Sequence, residues 1–326
     1  MKVLVCSEGF PEAARRLRGL LPAHDVAVCA AGDINRAAAD ADILIPTMTR
    51  LDADLIESHR FGLIMQYGVG LEGVDIDAAT RAGVWVARVP SAGTGNAESV
   101  AEHAVLLMLA LSRQLPQAQA ALRSRAWGQP AGAALLGKTA CIVGLGDIGM
   151  ALAVRLKPFG LRLTAVRKHP EHGAGHGTGI DRVYGTEHLK EAVRDADYVI
   201  VCVKYDANVH HLIDAGVMSA MKPGSFLINI ARGGLVDHEA LTQALKSGHL
   251  AGAGLDVFWQ EPVDPDHPLF SENVLATPHI AGVTDASYST IAEVVAENVR
   301  RYARGEELLH TVNEPSSPRY MPAKRD

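Results

Sequence analysis

The sequence predicts an α/β fold with two doubly wound parallel sheets, and three observations support it. A chain of 326 residues is long enough for two domains. Short apolar runs alternate with segments of helical period from the first residue, which is the pattern of parallel strands joined by helices. A long helical segment from about Asn96 to Arg113 is followed by a second alternating series that begins at Thr139. We therefore expect two sheets, each covered by helices on both faces.

The predicted strands of each series are short and bounded by polar or glycine-rich segments. In the first series they lie at residues 3–6, 26–29, 43–45, 63–66 and 84–87. In the second series they lie at residues 139–143, 161–166, 198–203, 225–230, 252–257 and 274–277, which makes a complete doubly wound domain. One more helix is predicted from residue 285 to about residue 302.

Composition and charge exclude several classes of protein. Hydrophobic residues make up 48% and charged residues 21% of the chain, which excludes a disordered or fibrous protein. With 31 Lys and Arg against 37 Asp and Glu, the net charge of -6 provides no broad binding surface for nucleic acid or anionic lipid. Any bound anion must therefore be held by a local site.

The cysteines are predicted to be buried apolar side chains in a reducing, cytoplasmic environment. They lie far apart, among aliphatic neighbours and without a C-x-x-C pair, at Cys6, Cys29, Cys141 and Cys202. The first residues run directly into a strand pattern and lack the features of a signal peptide. No window approaches the roughly 18 apolar residues that a membrane span needs. We also expect no metal site, because the histidines of residues 169–176 match no zinc-ligand spacing.

A glycine-rich turn after the strand at 139–143 indicates a dinucleotide site. The motif is G-x-G-x-x-G, and it lies between a strand and a helix, as such a site requires. Gly144 allows the tight turn, and Gly146 removes a side chain where the backbone approaches the pyrophosphate. The helix that follows directs free N–H groups toward the phosphates. The predicted cofactor-binding residues of this turn are Gly144, Gly146, Asp147 and Ile148.

The end of the next strand indicates which dinucleotide binds. An NAD site places a carboxylate there for the ribose 2′-hydroxyl, whereas this chain has Arg167 and Lys168, with no carboxylate before Glu171. Two cations suit a 2′-phosphate, and the arginine can bind it through two parallel hydrogen bonds. We predict a preference for NADP(H), with NAD also able to bind. The alternative is that these residues form a solvated basic loop.

Three later strand ends carry residues suited to the reduction of a 2-oxoacid. Arg232 can bind the carboxylate and the carbonyl oxygen through its guanidinium group. His279 can donate a proton to the developing alkoxide and accept it in the reverse direction, because histidine titrates near neutral pH. Glu261 can hold the imidazole in position. The carboxyl ends of parallel strands meet at one edge of a sheet, so we expect the three to converge. The alternatives are a surface turn cation for Arg232, a capped loop histidine for His279 and a solvated turn residue for Glu261.

These segments resemble the D-isomer-specific 2-hydroxyacid dehydrogenase family. The resemblance also includes Val69-Gly70, Gly73-Val74-Asp75 and the stretch from Ser99 to His103, and it extends over nearly the whole chain. It implies a Rossmann nucleotide domain at 97–284, inserted into a flavodoxin-like substrate domain made of 1–96 and 285–326. It assigns to Arg232, Glu261 and His279 the roles given above, and it implies a homodimer built on the nucleotide domain, including the Trp127 segment.

The same resemblance implies further site residues. Backbone N–H groups around Val69 and Gly70 would hold the substrate carboxylate, and Asp256 would contact the nicotinamide carboxamide. Asn96 resembles a substrate-side asparagine of the formate dehydrogenase branch, although a helix N-cap is an equally good interpretation. Ala231 and Gly282 would complete the cofactor site. His103 is assigned no chemistry.

Departures from the family pattern narrow the substrate. Formate dehydrogenases pair the active-site histidine with glutamine, whereas Glu261 stands here. Phosphoglycerate dehydrogenases carry an arginine where Pro46 stands, although Arg50 lies nearby and could partly substitute. The family's usual Pro-Leu-Thr is replaced by residues 204–206, Lys-Tyr-Asp. We expect a small or moderately apolar 2-oxoacid, with glyoxylate and hydroxypyruvate as the first substrates to test. The alternatives are a phosphoglycerate dehydrogenase and a non-catalytic, dinucleotide-sensing protein similar to the family's corepressors.

Overall fold

The computed structural model describes residues 1–6 and 9–319, so residues 320–326 of the expected substrate domain lie outside the described residues. The chain separates into two compact units, one made of residues 1–95 and 285–326 and the other of residues 96–284. Each unit contains one parallel sheet. The predicted fold class, α/β with two doubly wound sheets, is confirmed.

The first unit contains a five-stranded parallel sheet. Its strands are β1 (Lys2–Val5), β2 (Asp25–Val28), β3 (Ile43–Ile45), β4 (Leu63–Met65) and β5 (Trp85–Ala87), in the order β2-β1-β3-β4-β5. The connecting helices are α1 (Pro11–Leu20), α2 (Ile34–Ala37), α3 (Ala53–Ser58) and α4 (Ile76–Arg81). Asp52 and Asp75 cap α3 and α4 by accepting backbone N–H bonds from Leu55 and Ala78.

The second unit contains a seven-stranded parallel sheet. It begins with α5 (Asn96–Ser112) and α6 (Leu115–Arg123), and its strands and helices then alternate as β6 (Thr139–Val143), α7 (Asp147–Leu156), β7 (Arg162–Val166), β8 (Arg182–Tyr184), α8 (Leu189–Val193), β9 (Tyr198–Val201), α9 (Ala215–Ala220), β10 (Ser225–Asn229), α10 (His238–Lys246), β11 (Leu250–Leu255) and β12 (Val274–Ala276). The strand order is β12-β11-β10-β9-β6-β7-β8.

One strand of this sheet was not predicted. We expected six strands, and the seventh is β8, which pairs with β7 at the edge of the sheet. It has three residues, none of them buried, and Val183 is its one aliphatic side chain. So short and half-exposed a segment produces no apolar run, which is the signal by which the other strands were recognised.

The last helix, α11 (Asp285–Arg304), returns to the first unit. It buries Val295, Ala296 and Val299 in the same core cluster as Val3 and Val5 of β1. The apolar residues recur at helical spacing, so one face of α11 covers one face of the five-stranded sheet. The other face is covered by a separate cluster that includes residues of α3 and α4.

The four cysteines are buried and not disulfide-bonded, as predicted. Burial raises the pKa of Cys141 and of Cys202 to about 12, so both remain neutral thiols at physiological pH. They act as small apolar side chains in the cores of the second unit. Within the described residues, no helix is both long and apolar enough to cross a membrane.

Candidate active site

The glycine-rich turn has the geometry that close approach of a phosphate requires. Gly144 follows β6 with a φ of 102°, a conformation that favours glycine, and a Cβ there would lie 2.7 Å from backbone atoms of Cys202 and Val203. At Gly146 no heavy atom other than those of the glycine and its two chain neighbours lies within 4 Å of the Cβ position, so that face of the turn is open. The helix α7 begins at Asp147, directly after the turn. The residues therefore fit a dinucleotide, with the helix N-terminus available for its phosphates.

The end of β7 carries the two cations of the predicted 2′-phosphate site. Arg167 is partly buried, and its Nη1 donates a hydrogen bond to the carbonyl oxygen of Gly173 at 2.9 Å. Lys168 is exposed. Glu171, the first carboxylate after the strand, lies 3.1 Å from His169 Nδ1. Arg167 is therefore hydrogen-bonded to its own loop, and Glu171 is paired with His169.

The strands β10, β11 and β12 are neighbours in the sheet, and each is followed by one of the three predicted catalytic residues. Arg232 lies in the turn after β10, Glu261 in the loop after β11, and His279 in the turn after β12. The sheet is parallel, so all three turns lie at one edge.

The turn that holds Arg232 is fixed by a buried asparagine. Asn229, which is 1% exposed, donates from Nδ2 to the carbonyl oxygen of Arg232 at 2.9 Å, and its Oδ1 accepts the N–H of Ala231 at 3.1 Å. A Cβ at Gly233 would lie 1.9 Å from the carbonyl carbon of Phe258, so only glycine allows this turn to pack against the loop of Glu261. The Arg232 turn and the Glu261 loop are therefore in direct contact.

His279 and Glu261 form a short hydrogen-bonded pair. The distance between His279 Nδ1 and Glu261 Oε2 is 2.7 Å, and the two side chains are 26% and 22% exposed. The other carboxylate oxygen of Glu261 accepts the N–H of Phe258 at 2.9 Å. Because Nδ1 is bound to the carboxylate, Nε2 is the ring nitrogen that could exchange a proton with a bound molecule.

The pKa of Glu261 is lower than usual, so this residue is a carboxylate at neutral pH. Burial, the largest single effect, would raise its pKa, whereas the hydrogen bond to His279 and the charge of that residue lower it. The N–H of Phe258 and the positive charge of Arg232 act in the same direction. The positive charge of Arg232 therefore helps to keep Glu261 ionised, and Glu261 in turn holds His279.

Asp256 organises the turn that carries His279. Its buried carboxylate accepts hydrogen bonds from Thr277 Oγ1 at 2.6 Å, from the N–H of Ile280 at 2.9 Å and from the N–H of Ala281 at 2.8 Å. Its backbone carbonyl accepts the N–H of His279 at 2.8 Å. Asp256, for which we expected contact with the nicotinamide, is therefore the hydrogen-bonding centre of the turn that carries His279.

The remaining predicted residues lie in different places. Ala231 is buried in the Arg232 turn. Asn96 is the first residue of α5, and its Oδ1 lies 2.5 Å from the position of a Cβ at Gly282, so this pair is in close contact. Val69 and Gly70 belong to the first unit, in the loop after β4, where Arg88 Nη1 donates to the carbonyl oxygen of Val69 at 3.4 Å.

Sequence reasoning missed one residue of this network, His103. Its Nε2 lies 2.8 Å from Thr277 Oγ1 and 3.6 Å from Asp256 Oδ1. A signal was present in the sequence, because Asn96, Ser99 and His103 are spaced i, i+3 and i+7 and therefore share one face of a helix that is otherwise rich in apolar residues.

No group of three or more potential metal ligands occurs in the part of the chain that the structure describes.

Comparison with known proteins identifies the family. Residues 105–281 match the domain described as "D-isomer specific 2-hydroxyacid dehydrogenase, NAD binding domain". The chain belongs to the D-isomer specific 2-hydroxyacid dehydrogenase family, as its motifs indicated. The matched residues lie within the second unit.

Several relatives are similar over most of this chain. A D-3-phosphoglycerate dehydrogenase of Mycobacterium tuberculosis is 38% identical over 279 residues, which is 84% of this chain and 51% of that protein. A glyoxylate reductase of Pyrococcus furiosus is 35% identical over 280 residues, covering 82% of this chain and 81% of that protein. The chain thus spans about half the length of the phosphoglycerate dehydrogenases it matches.

A solved structure resembles the whole chain. It is an NADPH-dependent glyoxylate/hydroxypyruvate reductase from Sinorhizobium meliloti in complex with NADP and malonate. The TM-score is 0.83 at 30% sequence identity, and the alignment covers 98% of both chains.

Proposed function

We propose that this protein is an oxidoreductase that transfers a hydride between NADP(H) and a small 2-oxoacid or D-2-hydroxyacid. The observation that carries the proposal is the 2.7 Å pair of His279 and Glu261, which follows two neighbouring strands at the sheet edge where Arg232 also lies. When bound, the reduced nicotinamide supplies the hydride to the carbonyl carbon. The protein supplies an anchor for the acid, a proton and a fixed orientation.

Arg232 is the group that binds the substrate and stabilises charge. Its guanidinium can donate hydrogen bonds to the substrate carboxylate and to the carbonyl oxygen. The carbonyl oxygen gains negative charge as the hydride arrives, so the arginine stabilises the transition state more than the ground state. We propose that backbone N–H groups near Val69 and Gly70 also bind the carboxylate, and that Asn96 contacts the substrate.

His279 is the general acid in reduction and the general base in oxidation. The proton moves between Nε2 and the substrate oxygen, while Nδ1 stays bonded to Glu261. The carboxylate stabilises the imidazolium and fixes the ring, because the two oxygens of Glu261 are held by His279 and by the N–H of Phe258. This arrangement follows the general logic of a base oriented by a third group.

The cofactor site is assigned to the glycine turn and the residues at neighbouring strand ends. Arg167 and Lys168 favour NADP(H), because a 2′-phosphate is a dianion and both cations follow the strand next to the glycine turn. Asp256 Oδ2 accepts the N–H of Ala281 and has a second lone pair for a carboxamide N–H group. Gly146, Asp147, Ile148, Ala231 and Gly282 complete the proposed set.

Glyoxylate and hydroxypyruvate are the preferred candidate substrates. The relatives that match this chain over most of their own length include a glyoxylate reductase, and the similar solved structure is a glyoxylate/hydroxypyruvate reductase. Phosphoglycerate dehydrogenase is the second candidate, because such enzymes are 38% identical to this chain. Pro46 stands at a position where we expect such enzymes to carry an arginine and argues against this candidate, although Arg50 lies nearby and could partly substitute.

A substrate panel tests this proposal. NADPH oxidation is measured with glyoxylate, hydroxypyruvate, pyruvate and 3-phosphohydroxypyruvate, and we expect the highest kcat/KM with one of the first two. A higher kcat/KM with the phosphorylated acid would favour the second candidate. Cofactor binding without turnover on any 2-oxoacid would contradict the enzymatic proposal and favour a dinucleotide-sensing protein.

We also propose a cytoplasmic homodimer. The cytoplasm fits the four buried free thiols. A dimer fits the large apolar side chains of the second unit that are exposed, among them Leu106, Leu122, Trp127, Leu136 and Val154, of which Trp127 is 83% exposed. Light scattering tests the dimer, and Trp127→Glu should favour the monomer if Trp127 lies in the interface.

A further inference from the structure

We propose that His103 is a positioning residue for the general acid, acting through Thr277 and Asp256 to hold the turn that carries His279. This inference rests on the function proposed above for His279. None of the three residues needs to touch the substrate for the inference to hold. The argument follows from the conformation of the turn, the hydrogen bonds that maintain it and the helix to which they lead.

The turn needs external support because His279 has an unusual backbone conformation. Its φ is 54°, in the left-handed region that residues with a Cβ seldom adopt. Such conformations persist where the surrounding contacts over-determine them, and they are frequent at functional sites. The same residue must hold its ring against Glu261, so a relaxation of the backbone would also displace Nε2.

Asp256 provides this support from a buried position. Its carboxylate accepts two backbone N–H groups, those of Ile280 and Ala281, directly after His279. Its own carbonyl oxygen accepts the N–H of His279. One residue therefore bonds three consecutive amides of the turn, and the position of the imidazole depends on where this carboxylate is held.

The chemistry of Thr277 fixes the direction of the hydrogen bonds between His103 and Asp256. An ionised carboxylate only accepts, so the hydroxyl of Thr277 donates its proton to Asp256 Oδ1 at 2.6 Å. The same hydroxyl oxygen must then accept from His103, whose Nε2 lies 2.8 Å away. His103 therefore carries a proton on Nε2. It begins a series of hydrogen bonds that runs from His103 through Thr277 to the carboxylate of Asp256.

His103 connects this series of hydrogen bonds to the helix α5. Its side chain is 11% exposed and projects from α5, a helix of 17 residues. One turn earlier on the same helix face, Ser99 Oγ lies 2.8 Å from Thr284 Oγ1. Both ends of the segment 277–284 are thus bonded to a single helix, with His279 between them.

The test separates a positioning role from a general loss of stability. His103→Leu removes the first hydrogen bond of the series. We expect kcat for glyoxylate reduction to fall about 10- to 100-fold, as for a small misplacement of a reacting group. KM for NADPH and for glyoxylate should change by less than about threefold, because His103 and Thr277 belong to neither the proposed cofactor site nor the proposed substrate site. His103→Gln, which places an N–H donor near the position of Nε2, should recover most of kcat.

Two further variants make the test specific. Thr277→Val replaces the hydroxyl with a methyl group of similar size and should reproduce the loss of kcat, whereas Thr277→Ser keeps the hydroxyl and should retain activity. Glu102→Gln is the matched control on the same helix, because Glu102 makes an exposed ion pair with Arg155 and should leave kcat unchanged. Unchanged kcat in both His103→Leu and Thr277→Val would overturn the proposal, and so would equal losses in His103→Leu and His103→Gln.

A second readout is independent of the proposed function. Hydrogen exchange of a peptide covering residues 277–284 should become about tenfold faster or more in His103→Leu and Thr277→Val, because the turn opens more often without its anchor. This measurement needs no substrate. If the wild type reduces no 2-oxoacid, the proposed function fails, while accelerated exchange would still support the anchoring role; unchanged exchange would overturn that role.

Discussion

The pair of Glu261 and His279 allows one prediction to be worked out in detail. In Glu261→Gln the side chain keeps nearly the same shape but loses its charge, so the imidazolium that donates the proton loses a charge-assisted hydrogen bond at 2.7 Å. Hydrogen bonds to charged groups contribute about 1.5–3 kcal/mol. The two side chains are 26% and 22% exposed, so solvent screens this interaction only in part.

This free energy sets the expected loss of activity. If the interaction is made fully only when the histidine is protonated and positioned, kcat should fall about 10- to 150-fold, since each 1.36 kcal/mol corresponds to a factor of ten. KM for NADPH should remain within about threefold, because Glu261 does not belong to the proposed cofactor site. The assay is steady-state NADPH oxidation with glyoxylate at neutral pH.

A control on the same loop isolates the role of the pair. Asp264→Asn changes an exposed carboxylate that accepts the N–H of Asp266 at 2.9 Å, and asparagine can still accept that bond. We expect kcat of this variant to match the wild type. A loss of less than about threefold in Glu261→Gln, or a loss confined to KM, would refute the reasoning that Glu261 supports proton transfer.

Three further predictions concern the cofactor site and the pH dependence of the pair. Arg167→Asp should lower kcat/KM with NADPH by about 10- to 150-fold while leaving or improving that with NADH, and an unchanged preference would refute the NADP assignment. Gly144→Ala should lower Tm and weaken NADPH binding, because its Cβ would lie 2.7 Å from neighbouring backbone at a φ of 102°; a wild-type Tm and Kd would contradict this. The pKa of Glu261 is lowered, so its carboxylate is present above the ordinary value of about 4.3 and is lost only below it. The ratio of kcat between wild type and Glu261→Gln should therefore stay constant from pH 6 to about pH 5. A ratio that already falls toward one in that range would show that Glu261 becomes protonated at a higher pH than a lowered pKa allows.

The sequence was most informative where a position in the sheet determines a function. Arg232, Glu261 and His279 all follow strands, and parallel strands end at one edge, so their convergence could be expected without coordinates. The glycine turn was equally predictable, because the sterics at Gly144 depend on the local sequence and on the neighbouring strand. Both predictions rest on rules that relate a residue to its own element.

The contacts that hold these residues could not be predicted in the same way. His103 and Thr277 are separated by 174 positions, and their hydrogen bond depends on how α5 packs against the sheet. Asn229 in the Arg232 turn is another case, since an asparagine at a strand end has many possible partners. The strand β8 was missed for a different reason, because its three residues produce no periodic signal.

The most direct test of the central claim is the rate of NADPH oxidation with glyoxylate and hydroxypyruvate in the wild type and in His279→Ala. We predict turnover in the wild type and a loss of kcat of at least about 100-fold in the variant, with NADPH binding retained. A wild type that binds NADPH but reduces neither these acids nor any other 2-oxoacid, or a His279→Ala variant with undiminished kcat, would contradict the account.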